Sequence, residues 1–334
     1  MPPLSFDLLR RLADARWHSG AQLAHEQGVT PAAMRAALRE LEAELKEFGL
    51  ELRTAPGRGY RLAEPYDCLD ADAVRALLGG RADHFHLELL DACASTNTLL
   101  LERARAGAAS GSAIACELQS AGRGRRGKDW QSGLGGSLTF SLLWRYENGA
   151  AGLSGLSLAV GVAMARALAS LDVAGVQLKW PNDLLHAGRK LGGILIEVQG
   201  NAAVIGIGLN LRLRAGVRDV IAQPVTELAS IAAHLPQRNR LLAAALIQLE
   251  QVLTPFADTG FAPLRDEWMA CHAHQGGQVT LFSGDGRSIA GVAVGVAEDG
   301  ALLLETARGT ERFVNGEVSL RARQPGTGTT GAGI

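Results

Sequence analysis

Apolar residues near the start of the chain recur every three or four positions, which is the spacing of one face of an α-helix. The pattern predicts a helix that Ser5 caps and a second helix after Ser19. A longer helix is expected after Thr30-Pro31, because a capping residue followed by proline is a typical helix start. The buried face of this helix is expected to hold Met34, Leu38 and Leu41.

Two short runs of strand-forming residues, at positions 50–54 and 60–62, follow these helices and flank a turn at 56–59. Three helices followed by a hairpin is the order of a winged helix–turn–helix module. We therefore predict a DNA-binding-like domain over residues 1–64.

From residue 65 to residue 275 the pattern becomes mixed α/β, after a linking helix at 67–80. A helix is expected after Ser95-Thr96-Asn97, and a long one up to Leu171. Further helices are expected at 240–253 and 261–270, and strands at 112–118, 138–144, 176–180, 191–198 and 204–211. This alternation predicts an α/β multi-domain protein whose central domain is the catalytic one.

Residues 276–323 change to short strands separated by Gly-Asp-Gly and Glu-Asp-Gly turns. That pattern predicts a small β-barrel of SH3-like size at the C-terminal side. The segment 324–334 is rich in glycine and threonine, and we expect it to be disordered.

Composition narrows the protein class. Hydrophobic residues make up 47% of the chain and charged residues 20%, which is typical of globular proteins. The net charge of −1 gives no overall attraction to nucleic acid or membranes, and residues 1–64 hold nine basic and nine acidic residues. The four cysteines form no CxxC pair, the first residues lack a signal-peptide pattern, and no apolar stretch is long enough to span a membrane. We expect a cytoplasmic protein with no membrane partner.

The segment Gly122–Gly127, which alternates glycine with arginine, satisfies two known nucleotide-binding patterns. The Walker pattern requires Ser or Thr after Lys128, but Asp129 stands there. Both patterns also require a helix to begin at the loop, and no helical spacing follows. Because arginine pairs with carboxylate and phosphate, an anion-binding loop remains as one interpretation. A solvated surface loop that is basic by chance is the other.

Three further segments favour the first interpretation. Lys179–Leu184 lies at a predicted strand end, where α/β proteins place site residues. Lys190–Ile194 contains paired glycines that allow a ligand close to the backbone. Gly206–Asn210 places an amide side chain in an apolar strand, where it needs a hydrogen-bond partner.

In this order, with Ser95-Thr96-Asn97 and Gln119–Trp130 before them, the segments resemble biotin–protein ligases. The match continues into Gly316–Arg321 of the expected barrel. The N-terminal module resembles that of the bifunctional ligases, which also repress biotin synthesis. The resemblance implies a central α+β domain like those of class II synthetases. Biotin's carboxylate would attack the α-phosphate of ATP, and a lysine of a biotin carboxyl carrier protein would then displace AMP.

The resemblance also implies roles for individual residues. The catalytic residues would be Arg123, Arg125, Asp183 and Lys190. Biotin would be bound by Ser95, Thr96, Asn97, Gln119, Gly122, Arg123, Gly124, Arg125, Lys190 and Gly193. The nucleotide would be bound by Arg126, Trp130, Asn182, Asn210 and Arg321, with Asp183 as a ligand for Mg²⁺. DNA would be contacted by Gln22, Thr30, Arg35, Arg39 and Arg58. The loop 122–127 would act as a lid that orders over biotin and the adenylate.

Two departures from the family pattern are visible. Ala94 stands where an Asp usually precedes Ser-Thr-Asn, and Asp129 stands where a second basic residue is more usual. The alanines and glutamates of the third helix weaken the repressor role rather than the ligase role.

Alternatives are a lipoate ligase and a transcription factor that senses biotin without turnover. A metal site at Cys271, His272 and His274 is disfavoured, because no second ligand cluster accompanies it. A homodimer formed through a sheet edge is expected from the resemblance.

Overall fold

The computed structural model describes residues 3–147, 153–213, 218, 221, 223–283, 288–314 and 318–322. The tail at 324–334 lies outside these residues. None of the described helices combines the length and apolar composition that crossing a bilayer requires.

The N-terminal part consists of three helices and a hairpin, as the spacing predicts. The elements are α1 (Pro3–Leu12), α2 (Gly20–Glu26), α3 (Pro31–Glu47), β1 (Leu52–Ala55) and β2 (Gly59–Leu62). Thr30 caps α3, since its hydroxyl accepts a hydrogen bond of 3.2 Å from the amide of Ala33. Met34, Leu38 and Leu41 are buried on the inner face of α3, which confirms the predicted periodicity.

The central part is built around a seven-stranded mixed sheet in the order β3-β4-β5-β9-β8-β7-β6. Its strands are β3 (His86–Cys93), β4 (Ser112–Gln119), β5 (Ser137–Arg145), β6 (Val176–Lys179), β7 (Asp183–His186), β8 (Arg189–Gln199) and β9 (Ala202–Asn210). Only the β3–β4 pair is parallel among the pairs of this sheet. Strand β7 was not predicted, since its four residues follow Pro181 closely and were interpreted as site residues beyond a strand end.

Helices cover both faces of this sheet. They are α4 (Ala71–Leu78), α5 (Thr96–Arg105), α6 (Leu156–Ala169), α7 (Leu228–Ile231), α8 (Arg238–Thr259) and α9 (Arg265–Ala270). Alternate residues of β9 point to opposite faces: Val204 packs with Leu100 of α5, whereas Ile205 joins the larger core formed with α6 and α8. The face that α5 covers is therefore the one on which Gly206 and Gly208 of β9 also lie.

Three helix predictions differ from the structure in detail. Helix α1 begins at Pro3, so Ser5 lies within it rather than at its cap. Helix α5 begins at Thr96 rather than after Asn97, because Ser95 acts as the cap. The helix predicted at 261–270 is wrong in its first half, where a 3₁₀ turn occupies Ala262–Leu264. Proline at position 263 fits the first turn of such a segment.

A five-stranded antiparallel sheet forms the C-terminal part, in the order β13-β12-β11-β10-β14. Its strands are β10 (Gln278–Ser283), β11 (Ser288–Val296), β12 (Leu302–Thr306), β13 (Gly309–Phe313) and β14 (Val318–Ala322). The predicted change to short strands is confirmed. Trp180, which is fully buried, donates a hydrogen bond of 3.0 Å to the carbonyl of Gly300 and so connects this sheet to the segment after β6.

A buried ion pair joins the linker after residue 64 to the central sheet. Glu117 of β4 contacts the guanidinium of Arg238 and accepts hydrogen bonds from the Tyr66 hydroxyl (2.8 Å) and the Leu69 amide (2.7 Å). Arg238 also donates to the carbonyl of Asp67 at 3.0 Å. Because Arg238 is 3% exposed and Glu117 7% exposed, each charge depends on the other for its compensation.

We expect Arg238→Met to lower the free energy of unfolding by about 3–5 kcal/mol, since it leaves the Glu117 carboxylate buried without its counter-charge. Urea unfolding followed by tryptophan fluorescence measures the effect. Arg240→Met, an exposed arginine on the same helix, is the matched control. A loss below about 1 kcal/mol for Arg238→Met would show that the pair contributes little.

Candidate functional site

The glycine–arginine loop folds back on itself as a small hairpin. The amide of Gly124 donates to the carbonyl of Lys128 at 2.6 Å, and the amide of Trp130 donates to the carbonyl of Gly122 at 2.8 Å. At the tip, Arg126 has a φ of 58° and Gly127 a φ of 70°. These bonds make residues 122–130 one unit, so a contact at one position constrains the others.

The three arginines of this loop point to three different surroundings. Arg123 forms an ion pair of 2.7 Å with Glu197. Arg125 enters the site and donates to Oδ1 of Asn182 at 3.2 Å. Burial lowers the pKa of the Arg125 guanidinium, with the charge of Arg126 acting in the same direction. Arg126 itself is exposed at the tip.

Polar side chains converge where α5 begins against the sheet. Thr96 donates its amide to Oε1 of Gln119 at 2.8 Å. The hydroxyl of Ser141 on β5 lies 2.7 Å from the hydroxyl of Thr96 and donates to Oδ1 of Asn97 at 2.6 Å. Ser95, Thr96 and Asn97 are each at most 4% exposed. This buried polar corner is suited to an uncharged ligand group with hydrogen-bonding atoms.

Charged side chains gather at the other end of the site, on the hairpin β7–β8. Asp183 forms an ion pair of 2.7 Å with Lys190 and lies 3.7 Å from the ammonium group of Lys179. Gly193 makes room for this arrangement, since a Cβ there would lie 3.3 Å from Nζ of Lys190. The negative charge of Asp183 raises the pKa of the Arg125 guanidinium and so opposes the effects of burial and Arg126.

Two glycines of β9 allow side chains to lie directly on the strand backbone. A Cβ on Gly206 would lie 2.3 Å from Oδ1 of Asn97, and a Cβ on Gly208 would lie 2.4 Å from the ring of Trp130. No larger residue fits at either position without displacing its neighbour. The indole nitrogen of Trp130 is buried and has no hydrogen-bond partner among the described residues.

Many of these groups line one cavity of about 480 Å³, a volume that includes the solvent at its mouth, whereas Asp183 and Arg126 are not among its lining residues. The cavity is lined by Ser95, Thr96, Asn97, Gln119, Arg123, Gly124, Arg125, Trp130, Thr139, Phe140, Asn182, Lys190, Gly193, Ile194, Leu195, Gly206, Ile207 and Gly208. Most of the residues predicted for biotin and nucleotide are therefore brought together. Their roles toward a ligand stay predictions.

Several predicted residues lie elsewhere. Gly122 is buried behind the loop, where a Cβ would lie 2.6 Å from the carbonyl of Trp130. Asn210 is not among the lining residues, and its amide donates instead to the carbonyls of Thr226 (3.1 Å) and Lys190 (3.4 Å). Arg321 pairs through its backbone with Thr280, and its side chain lies outside the described part of the structure. The residues predicted to contact DNA lie in α2, α3 and the β1–β2 turn.

Sequence reasoning missed two residues that organise the site, Ser141 and Glu197. A signal existed for the first, since Ser137, Thr139 and Ser141 place polar groups on one face of an otherwise apolar strand. All three are buried. Glu197 gave no signal, because a charged residue near a strand end is common on solvated surfaces.

Residues 89–212 match the model of the biotin/lipoate A/B protein ligase family, and residues 274–321 match the biotin protein ligase C-terminal domain. The bifunctional ligase/repressor BirA of Salmonella typhimurium is 38% identical over 95% of this chain and 97% of its own length. The chain belongs to the biotin protein ligase family. The Escherichia coli BirA is 37% identical over the same shares of the two chains.

Biotin protein ligases also have the same fold as this chain. The structure of the Aquifex aeolicus ligase in complex with biotin and ATP has a TM-score of 0.64 and 28% sequence identity. It covers 71% of this chain and 99% of its own length. The family match thus confirms both the catalytic domain and the C-terminal β domain that the sequence predicted.

We expect Gly208→Ala to displace the Trp130 ring, because the added methyl group would overlap it, and to destabilise the protein by about 1–3 kcal/mol. In protein labelled with 5-fluorotryptophan, the ¹⁹F resonance of Trp130 is assigned by its absence from the spectrum of Trp130→Phe. This resonance should shift in Gly208→Ala. Gly80→Ala is the control, because no atom lies within 4 Å of the added group. An unshifted Trp130 resonance in Gly208→Ala would contradict the close packing.

Proposed function

We propose that this protein is an ATP-dependent biotin–protein ligase. The carboxylate of biotin attacks the α-phosphate of ATP, which gives biotinyl-5′-AMP and releases pyrophosphate. A lysine of a biotin carboxyl carrier protein then attacks the mixed anhydride and AMP leaves. One observation supports this best: a buried polar corner and a cationic end occupy one cavity in a member of the biotin protein ligase family.

In the first step, the polar corner would bind the biotin head and the cationic end would bind the reacting carboxylate and phosphate. Ser95, Thr96 and Gln119 would hydrogen-bond the biotin head, with Ser141 orienting Thr96 from below. Arg125 and Lys190 would face the carboxylate and the phosphate, whose negative charge grows as the oxygen attacks. A partly buried guanidinium is well suited to this, since its planar donors match both anions.

The nucleotide is proposed to lie beside Trp130. The ring packs on the backbone of Gly208, which fixes its plane for stacking with adenine. Asn182, which lines the same cavity, and Arg126, at the loop tip, are proposed to contact the nucleotide as well. The roles proposed for Asn210 and Arg321 are less direct: Asn210 holds the segment at Thr226 against Lys190, and Arg321 would have to reach across from β14.

Asp183 is proposed to act in the transfer step. Its carboxylate is held between Lys190 and Lys179, so its position is fixed before an acceptor arrives. We infer that it orients the incoming amine and offsets its charge.

A protein-held Mg²⁺ at Asp183 does not fit these surroundings, because both carboxylate oxygens face ammonium groups. In addition, no three His, Cys, Asp or Glu side chains converge as a metal site within the part of the chain that the structure describes. A magnesium ion would therefore enter with the phosphates of ATP, its usual partners.

Incubation of the protein with ATP, biotin and a biotin carboxyl carrier domain tests the proposal. We expect biotin-dependent release of pyrophosphate and an added biotinyl mass on one carrier lysine. A transcription factor that only senses biotin would bind it without releasing pyrophosphate. Replacing biotin with lipoate in the same assay tests the remaining alternative, a lipoate ligase, which would release pyrophosphate with lipoate.

We expect Asp183→Asn to slow transfer to the carrier at least tenfold more than it slows adenylate formation, because the amide no longer offsets the charge of the amine. Single-turnover assays of each half-reaction measure the two rates. Equal losses in both half-reactions would show that Asp183 has no separate role in transfer.

The N-terminal part is proposed to be a winged helix–turn–helix that binds operator DNA and represses biotin synthesis. The Salmonella typhimurium and Escherichia coli relatives of this chain are named bifunctional ligase/repressors. Gln22, Arg35, Arg39 and Arg58 are exposed, whereas Thr30 is engaged as the cap of α3. The guanidinium of Arg58 lies 4.8 Å from the centre of the Trp17 ring, and this contact restricts the side chain in the absence of DNA.

The five-stranded sheet of the C-terminal part is proposed to be an SH3-like barrel.

We expect the protein to shift a duplex from the promoter of its biotin-synthesis genes in a gel, more strongly with biotin and ATP. Arg35→Ala combined with Arg39→Ala should weaken binding about tenfold or more, through lost base or phosphate contacts. Arg189→Ala, exposed on the β7–β8 turn, is the control. Equal affinity for an unrelated duplex would argue against an operator function.

The family resemblance also predicts a homodimer, and sedimentation of the same samples tests that prediction.

A further inference from the structure

Arg123 connects the loop that closes one side of the cavity to both the sheet and α5. Arg123 donates from Nη2 to Oε1 of Glu197 at 2.7 Å and from Nη1 to the hydroxyl of Thr98 at 3.2 Å. Glu197 lies on β8 and Thr98 on α5, so the guanidinium connects the loop to two different elements. Arg125, two residues further along, is thereby left to face the cavity.

Glu197 also contacts the floor of the polar corner. Its second oxygen, Oε2, accepts a hydrogen bond of 3.0 Å from Nδ2 of Asn97. Asn97 accepts from Ser141, which lies beside Thr96, and Thr96 is bonded to Gln119. Gln119 stands three residues before Gly122, at the start of the loop. These hydrogen bonds connect the loop to Glu197 and Glu197 to the polar corner. Gln119 then joins the corner to the start of the loop through the chain itself.

We propose that Glu197 is a positioning residue, called the latch below: it holds the loop closed over the cavity and couples that closure to the orientation of Asn97 in the polar corner. The inference rests on the proposed ligase function. One carboxylate serves both contacts: one oxygen holds the loop and the other orients Asn97. Because residues 122–130 form one hydrogen-bonded unit, release of Arg123 would also release Arg125 and Trp130 from their places.

The latch has a chemical purpose in this reaction. Biotinyl-AMP is a mixed anhydride that water can hydrolyse and that can diffuse away before an acceptor arrives. A closed loop excludes water and retains the intermediate. The side chain of Arg123 is 46% exposed and that of Glu197 23% exposed. Because both side chains are partly exposed to solvent, the ion pair contributes only modestly to closure, which leaves the loop able to open.

The substitution Glu197→Gln tests this, because the amide can still accept from Asn97 while the charge that holds Arg123 is gone. Two rates are measured: release of labelled biotinyl-AMP, and trypsin cleavage after Arg123, Arg125 and Arg126 in the protein without ligand. We expect both rates to rise about three- to tenfold, from the loss of one partly exposed charge-assisted contact. The KM for biotin should rise more than kcat falls.

Glu88→Gln is the matched control, because Glu88 pairs with Arg103 in a partly exposed contact between β3 and α5, away from the cavity. The charge exchange Glu197→Arg with Arg123→Glu should slow trypsin cleavage after Arg125 and Arg126 relative to the single variant Arg123→Glu, even though activity suffers. Trypsin and release rates equal to wild type in Glu197→Gln would overturn the latch. If wild-type protein forms no adenylate, the ligase proposal fails, while the trypsin comparison still judges the latch by itself.

Discussion

The close approach of two side chains to the backbone of β9 determines the shape of the cavity. Asn97 and Trp130 lie where the β-carbons of Gly206 and Gly208 would otherwise be. The polar corner depends on the first contact and the proposed adenine platform on the second. Since both glycines lie on the same face of one strand, the polar corner and the Trp130 ring keep a fixed spacing.

The charged groups of the site are arranged by pairing rather than by burial alone. Arg123 is paired with Glu197, and Asp183 with Lys190, whereas Arg125 is directed toward Asn182. Pairing assigns different tasks to side chains of the same type. Of three arginines in six consecutive residues, one fastens the loop, one enters the cavity and one remains exposed at the tip. A family motif alone does not distinguish these positions.

The N-terminal module is connected to the site through a short physical path. Tyr66 of the linker and Leu134, which follows the loop, pack in one apolar cluster with α1 and α3. Glu117 binds the same linker and lies two residues before Gln119. A ring at Tyr66 also fills the space beside Gly135. The module and the cavity therefore share strand β4 and the segment that carries Trp130.

The sequence by itself determined the order and type of most elements, because apolar spacing, caps and turn residues act locally. It also identified the segments around Gly122, Asp183, Lys190 and Gly206, because their residue types suit anion binding, strand ends or a close approach to the backbone. The segment around Ser95 was identified from the family resemblance. Tertiary structure alone decided which side chains face the cavity. Glu197 is about 100 residues from Asn97 in sequence, and Asn210 turned out to bind backbone carbonyls. Such partners depend on strand register and side-chain direction, which local patterns do not encode.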